Sequence, residues 1–527
     1  MQFPRTRRQF LSDVGKGVLI ASVGPAVAEE LALANTADAE HGPEPTALTF
    51  GEMEPLVCLM QETPVNRLLP ALAEKLQSGV ELKRLVAAAA LANARTFGGE
   101  DYVGFHTLMA LSPAYHMATE MPEGMRALPV FKVLYRNTNR IQETGGRQHE
   151  VLAPVKPDTL PQGRPGAEVL RDAIHSKDVN RAERTFAALF GCSDGCCADE
   201  AFNDLLETVQ ETTEVHRTVL PYRAWDLLDL VGREQAHTLL RQSVRYCVKA
   251  EGWQQPAGYS EPRTLLPKLL EQYHLLDKTP GTRAMDDKWV DEMSRTIFTS
   301  SASHAAEAAA AALADGVAPA CMGEAISLAA NQLVLRDHGR PPREESPGKP
   351  VGSVHGDSIG VHACDSANAW RNLARVSNAR NTFACLILGA YQVALDRGNR
   401  GGDFLNWEPL PMKQQLNGVA STDPTTLLHE LEDAVRGNLQ ARSAAIVQRY
   451  GDLGHAPRGV LDLMLRYATS EDGSLHAEKY YRTTSDEFAC TRPAFRWRQL
   501  VALARVTASE YGRPAPGYAE AKALLKV

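Results

Sequence analysis

Two short stretches of the chain place a histidine and a carboxylate three residues apart at the start of a helical pattern. His304 precedes Glu307 in SHAAEAA, and His362 precedes Asp365 in VHACDSA. Residues three apart share one face of a helix, so the two side chains of each pair can converge on one bound atom. Imidazole and carboxylate ligands suit iron, manganese or zinc. The spacing therefore predicts a metal site formed by these four residues.

Further histidines extend this candidate site. His355 stands in the glycine-broken loop before His362, and we predict it as a fifth metal ligand. His106, His216 and His476 head other helical segments, where we expect additional ligands or substrate contacts. Because a non-covalent haem needs only one axial histidine, a haem site is a second interpretation. The structural alternative for each histidine is a capping or core residue whose ring is satisfied by a hydrogen bond.

Helices must position these side chains, because helical periodicity fills most of the chain and alternating apolar and polar runs are absent. Five segments repeat one order of features: a loop, a histidine, a helix, a turn and a second helix. Their histidines are His106, His216, His304, His362 and His476. Trp225 and Leu228 align with Trp370 and Leu373, as in a divergent internal repeat. We predict an all-α fold of stacked helical hairpins, curved toward an α/α array or toroid.

The chain beyond its first 45 residues is too long for one ordinary core, because cores usually stop growing near 250–300 residues. The stretch 339–352 (GRPPREESPGKPVG) is rich in proline and glycine and reads as a linker. We therefore predict two helical regions, 46–338 and 353–527, with the second packed on the first.

The first 28 residues predict export rather than fold. Arg7 and Arg8 stand in TRRQFL, which resembles the twin-arginine (Tat) signal closely, and a short apolar stretch ending in Ala28 follows. Residues 29–45 read as a polar tether. The resemblance implies the Tat translocase as a partner and a periplasmic or secreted location. We expect no transmembrane span in the mature chain, because no later stretch has about twenty consecutive apolar residues.

Several function classes are disfavoured by what the sequence lacks. The net charge is −8 and no long basic run occurs, so we expect no nucleic-acid partner. No G-x-G-x-x-G follows a strand pattern, which argues against a Rossmann nucleotide site. Aromatic residues make up only 6% of the chain, which weakens the hypothesis of a toroidal carbohydrate enzyme that stacks sugars on aromatic rings.

The nine cysteines are spread thinly, without the spacing of a small disulfide scaffold, and an odd number cannot pair completely. Cys192, Cys196 and Cys197 are the only cluster. A local disulfide and a tight turn of small residues are open interpretations of it. A thiolate metal site is disfavoured, because no second cysteine pair stands near enough to complete four thiolate ligands.

The segments VGFHTLMALSPAYHMA and VHRTVLPYRAWDLLDLVG carry a resemblance to known proteins. The histidine-headed hairpins over residues 80–510 resemble questin oxidase-like proteins, an all-α family with oxygenase members. They also resemble uncharacterised all-α bacterial proteins exported by the Tat pathway. The first resemblance implies oxidative chemistry on a cyclic organic substrate, such as a Baeyer–Villiger-type insertion. It carries no active-site residue over to this chain.

Two functional hypotheses follow. The first is an exported oxidoreductase with a histidine and carboxylate metal site, or a haem site, in a helical cavity that receives a small organic substrate. The second is a non-catalytic α-helical repeat protein of the cell envelope, in which the histidines have structural roles. The content of bound metal distinguishes the two.

Overall fold

The computed structural model describes residues 47–191, 197–399 and 402–527. The predicted signal peptide, with Arg7 and Arg8, and the predicted tether lie outside these ranges. Cys192, Cys196 and the side chain of Cys197 lie outside them as well. Export, cleavage and a local disulfide therefore stay predictions.

The predicted all-α fold is confirmed. Within the described ranges, β-type backbone pairing is limited to isolated bridges such as Arg283 with Val317. No helix in those ranges is long and apolar enough to cross a bilayer. The helices before the 339–352 stretch are α1 (Glu54–Glu62), α2 (Val65–Gln77), α3 (Leu82–Phe97), α4 (Tyr102–Glu120), α5 (Ala127–Glu143), α6 (Gly166–His175), α7 (Val179–Leu189), α8 (Cys197–Val209), α9 (Val215–Asp226), α10 (Leu228–Val231), α11 (Ala236–Ala250), α12 (Pro262–Gln272), α13 (Asp287–Thr299), α14 (Ala302–Ala314) and α15 (Pro319–Arg336).

The remaining helices follow that stretch. They are α16 (Ile359–Val376), α17 (Ala379–Asn399), α18 (Lys413–Asn417), α19 (Pro424–Arg436), α20 (Gln440–Asp452), α21 (Arg458–Ser470), α22 (His476–Cys490), α23 (Trp497–Glu510) and α24 (Tyr518–Leu525). Short 3₁₀ helices occupy Gly51–Met53, Glu123–Met125, Gly146–His149, Arg233–Gln235, Pro342–Glu344 and Gly473–Leu475.

Four helices form a closed ring at the centre of the molecule. Helix α4 packs against α9, α9 against α16, α16 against α22, and α22 returns to α4. These inner helices are buried on nearly every side; all residues of α9 from His216 to Trp225 are buried. A helix enclosed in this way needs small or apolar residues all round rather than one apolar stripe. The segments HTLMALSPA in α4 and HACDSANAW in α16 have this composition.

Outer helices enclose the ring. Helices α3 and α5 pack against α4, α11 against α9, α15 and α17 against α16, and α21 and α23 against α22. This order is compatible with stacked helical hairpins. The inner ring takes two helices from each side of the 339–352 stretch, so one hydrophobic core runs through both predicted regions.

Capping side chains fix where three inner helices begin. The Asp101 carboxylate accepts a hydrogen bond from the Gly104 amide (2.6 Å), and Glu214 accepts one from the Arg217 amide (2.9 Å). The Ser358 hydroxyl accepts one from Val361 (3.4 Å). Such caps satisfy amide groups that have no partner within the helix.

Candidate metal centre

Four buried histidines meet where the first turns of the inner helices converge. They are His106 on α4, His216 on α9, His362 on α16 and His476 on α22. Neighbouring rings follow one another around the ring, with centroid separations of 4.8, 5.7, 5.3 and 5.3 Å. Since each helix contributes one imidazole at the same level, the four side chains form a single cluster.

The Nε2 atoms face one another in two close pairs. His216 Nε2 lies 3.2 Å from His106 Nε2, and His362 Nε2 lies 3.2 Å from His476 Nε2. For an ion 2.0–2.1 Å from both nitrogens of a pair, the angle between its two bonds to nitrogen would be about 100°, which is close to tetrahedral. Each pair therefore has the spacing of two ligands of one ion.

The other ring nitrogen is tied to an oxygen acceptor in three of the four histidines. His106 Nδ1 lies 2.7 Å from the Tyr102 carbonyl oxygen, and His476 Nδ1 lies 3.0 Å from the Ser474 carbonyl oxygen. His216 Nδ1 lies 2.7 Å from Glu214 Oε1. A carbonyl or carboxylate oxygen only accepts, so Nδ1 carries the proton in each ring. A neutral ring of this tautomer directs an unprotonated Nε2 into the cluster.

Two unprotonated nitrogens facing each other at 3.2 Å repel, because both present lone pairs. The contact is stable only when a proton or a metal ion lies between them. The His106–His216 contact therefore needs an imidazolium ring or a metal ion. The His362–His476 contact has a third solution, a neutral hydrogen bond in which Nε2 of His362 carries the proton.

Helix α22, the fourth helix of the inner ring, begins without a side-chain cap. Ser474 and Leu475 adopt φ values of +49° and +67°, in the left-handed region that non-glycine residues rarely occupy. This turn places the Ser474 carbonyl oxygen against the ring of His476. Backbone of this kind costs of order 1–3 kcal/mol per residue and concentrates at functional sites.

A buried lysine adjoins the cluster. Lys479 follows His476 by three residues and is 3% exposed. Burial, and then the charge of Lys479, lower the pKa of both His106 and His476 well below the ordinary value near 6.5. Both rings are therefore neutral at pH 7, and the neutral form is the one that binds metals.

Lys479 itself titrates near neutral pH. Burial lowers its pKa to about 8, while the nearby carboxylate of Asp365 acts in the opposite direction. Burial also raises the pKa of Asp365, against the effects of Lys479 and Arg223, and its Oδ1 accepts a hydrogen bond from Thr483 (2.9 Å). The two buried groups therefore affect each other's pKa through their charges.

Glu214 is the carboxylate held most directly on a cluster histidine. It also accepts a hydrogen bond from the Tyr246 hydroxyl (2.7 Å). Burial alone would raise the pKa of Glu214, but the neighbouring His216 lowers it to about 2. Carboxylates that orient a histidine in this way are common behind metal ligands, where they fix the tautomer and raise the basicity of the ring.

The structure separates the two predicted histidine–carboxylate pairs. His304 and Glu307 are exposed on α14, which packs against the outer helix α17. His362 and Asp365 are buried on α16 and both face α22. The four residues predicted as one metal site therefore do not lie together, because α14 is an outer helix.

His355 is buried, and both of its ring nitrogens contact other protein groups. Its Nδ1 lies 2.8 Å from Ser509 Oγ, and its Nε2 lies 2.9 Å from the Gly348 carbonyl oxygen and 2.8 Å from Arg513 Nη1. Burial and the surrounding cations lower its pKa to about 4. Both ring nitrogens thus already contact protein groups, and we leave His355 out of the proposed ligand set.

One further group has metal-ligand composition. Within the described ranges, His175, Glu211 and Glu251 are the residues whose ligand atoms all lie within 4.8 Å of one another. Arg217 and Arg263 form ion pairs with both glutamates. These guanidinium groups supply the positive charge that an ion would, so the group is an ion-pair network.

In the inner cluster, no three histidine nitrogens all lie within 4.8 Å of one another. The two histidine pairs stand apart, so one ion bound by all four rings requires the pairs to approach each other.

A cavity of about 10 Å³ adjoins the cluster at His476, Tyr480 and Glu510. That volume holds about one water molecule. A metal ion with a small ligand fits this space better than a porphyrin does.

Sequence reasoning identified the four cluster histidines, although three of them only as additional ligands or contacts. It missed Glu214 and Lys479, whose roles depend on contacts between elements. Weak signals existed for both: Glu214 is an acidic residue at a helix start two positions before a histidine, and Lys479 lies on the face of α22 that carries His476.

Comparisons with known proteins add no assignment. No family model, no curated protein and no solved structure matches the chain. The resemblance to questin oxidase-like proteins and to Tat-exported proteins stays a prediction.

Proposed function

We propose that this protein is an exported metal-dependent oxidoreductase that acts on a small organic substrate. Its metal ligands are His106, His216, His362 and His476. The observation that carries the proposal is the pairwise contact of Nε2 atoms at 3.2 Å, with the Nδ1 protons of three rings committed to oxygen acceptors.

The chemical type of the four proposed ligands limits which metal ions the site can bind. Four imidazoles with no carboxylate among them suit copper, iron or zinc, whereas manganese prefers oxygen ligands. Copper and iron change oxidation state, and zinc does not. The oxidoreductase part of the proposal therefore expects iron or copper in the purified protein.

The surrounding residues have distinct tasks in this proposal. Glu214 and the carbonyl oxygens of Tyr102 and Ser474 orient three of the rings. Lys479 favours neutral rings at His106 and His476 through its charge. Because its own pKa is about 8, Lys479 can also deliver or accept a proton beside the cluster near neutral pH.

Elemental analysis of the mature protein tests the proposal. The chain is expressed with its own first 46 residues, purified without chelators, and assayed for copper, iron, zinc and manganese. We expect a stoichiometric content of iron or copper, and an X-ray absorption spectrum with nitrogen neighbours of the imidazole type. Zinc at full occupancy would support the site and overturn the redox assignment.

A metal-free protein that also fails to take up copper, iron or zinc in titration would overturn the metal centre. The same four histidines would then be a hydrogen-bonded cluster, and the hypothesis of a non-catalytic helical repeat protein would stand.

A further inference from the structure

Two cavities lie near the inner ring, and neither brings a substrate to the proposed metal ligands. The cavity beside His476 has a volume of about 10 Å³, which holds about one water molecule. A larger cavity, of about 350 Å³, is lined by Trp225 and by residues near the carboxyl-terminal ends of α16 and α22. His216 and Trp225 are nine residues apart on α9, so this larger cavity is roughly 14 Å from the cluster along the helix.

One side chain contacts both the solvent and the cluster. Tyr102, the first residue of α4, is half-buried, and its ring centroid lies 4.4 Å from that of His106 and 5.6 Å from that of His216. Phe105 also packs on these two rings, at 5.0 and 5.1 Å, but it is only 5% exposed. Of the two aromatic side chains that cover this first histidine pair, Tyr102 is therefore the outer one.

The start of α4 holds the ring of Tyr102 in place. The Asp101 carboxylate, which caps the helix, also accepts a hydrogen bond from Arg140 Nε (2.9 Å) and pairs with its Nη2 (2.5 Å). The rings of Tyr102 and Phe105 meet edge to face with their centroids 5.4 Å apart, a favourable aromatic geometry. A molecule that approaches His106 from this side can therefore pass only when the tyrosine ring moves.

The second histidine pair, His362 and His476, is covered more deeply. Asp357, in the loop before α16, is 1% exposed and pairs with Lys349 (2.8 Å). Burial would raise the pKa of Asp357, but the nearby positive charge of Lys349 and the ring of His362 lower it. At His476 the exposed Ser474 contacts the ring through its backbone carbonyl oxygen, which a rotation of the serine side chain does not displace.

We propose that Tyr102 is the gate through which small molecules reach the histidine cluster, and that they arrive at the first pair. An outward swing of the ring uncovers His106 and His216, whereas the second pair stays covered. The inference rests on the proposed function only for the identity of what enters, a small organic substrate. The gate itself belongs to the metal-free chain, so its test needs no metal.

Chemical modification of the histidines in the metal-free mature chain measures this access. Diethyl pyrocarbonate is a small reagent that acylates unprotonated imidazole nitrogens, and mass spectrometry of the peptides gives the rate at each histidine. Tyr102→Ala should speed the modification of His106 and His216 by about tenfold or more, because the wild-type gate opens only when three ring contacts break. His362 and His476 should react as slowly as in the wild type.

Three further variants make the test specific. Tyr102→Phe keeps the ring and should react at the wild-type rates. Tyr102→Leu keeps part of the apolar volume and should give a smaller gain at the same two histidines, which preserves the test should the alanine variant fail to fold. The matched control is Tyr115→Ala, a half-buried tyrosine of the same helix whose ring lies 6.3 Å from that of His116, outside the cluster. It should leave all four cluster histidines at their wild-type rates.

Unchanged rates at His106 and His216 in the alanine and leucine variants would overturn the gate. Equal acceleration of both pairs in a variant that circular dichroism shows to be folded would also overturn it, because the whole ring of helices would then have loosened. So would a wild-type His106 that reacts as fast as the exposed His304. A selective gain in a chain that takes up no metal would confirm the gate and overturn the metal centre, whereas a metal-binding chain without the gain would keep the centre and lose the gate.

Discussion

Helices α14 and α16 begin alike and end up in opposite environments. Each starts after a serine whose hydroxyl caps the first turn, and each carries a histidine followed three residues later by a carboxylate. On α14 the carboxylate of Glu307 accepts a hydrogen bond from the hydroxyl of Tyr273 (3.3 Å) at the surface. On α16 the ring of His362 meets His476, and Asp365 meets Thr483, both in the interior.

The difference teaches that local sequence sets the face of a helix but not what that face meets. Helix α16 belongs to the inner ring, so its first turn is surrounded by three other first turns. Helix α14 lies in the outer layer, so the same arrangement points to solvent. Matched substitutions on an inner helix and on the outer helix α14 therefore test whether location in the inner ring decides the role of a side chain.

The largest contrast is expected between His362→Ala and His304→Ala. The first variant removes one of two Nε2 donors spaced 3.2 Å apart, and we expect it to lose nearly all bound metal. The second changes an exposed side chain on an outer helix and should retain full metal content. Elemental analysis of both proteins, with circular dichroism to confirm folding, provides the measurement. Equal metal content in the two variants would contradict the inner cluster as the site.

Glu214→Gln tests the inner carboxylate against Glu307→Gln on the outer helix. Glu214 holds His216 from behind, so we expect metal affinity to fall by about 10–100-fold without loss of stoichiometry at saturating metal. Glu307→Gln should have the affinity of the wild type. Competition with a chromophoric chelator measures both. An unchanged affinity in Glu214→Gln would show that the carboxylate serves only as a helix cap.

Acid release of the metal gives a further contrast between buried and exposed histidines. Protons compete with a metal for a free imidazole near pH 6.5. Burial and Lys479 hold the pKa of His106 and His476 well below that value, so these rings remain deprotonated as the pH falls through 6.5. We expect half of the metal to be released only below pH 6.5, as followed by dialysis and elemental analysis. Release complete above pH 6.5 would contradict the shifted values.

The smallest expected effect concerns stability. Burial raises the pKa of Glu510, which adjoins the cavity at His476, to about 8, against an opposing effect of Lys132. In the unfolded chain this group titrates near 4.3, so the folded state binds more protons between these values and loses stability as the pH rises through them.

Glu510→Gln removes this dependence. We expect the Tm of the variant to exceed that of the wild type by a few degrees at pH 8 and by little at pH 4.5. Glu307→Gln is the exposed control and should show no such pH-dependent gain. A variant less stable than the wild type at pH 8 would mean that ionised Glu510 stabilises the fold.

The sequence was sufficient for the fold class and for the positions of the candidate ligands along their helices. Helical periodicity predicted the all-α fold, and the recurrence of histidines at helix starts singled out five residues, four of which meet. It could not rank His304 below His106, because burial depends on which helices pack inside. It could not foresee Glu214 or Lys479 as partners of the cluster, because their roles arise from contacts between helices far apart in sequence.

The common direction of the inner helices has an electrostatic consequence. Each helix carries about half a positive charge at its amino-terminal end, from the aligned dipoles of its peptide groups. Four such ends converge on the cluster. A redox ion among the four histidines would sit in a positive potential. That potential would favour the reduced, less charged state of such an ion, and would so raise its reduction potential.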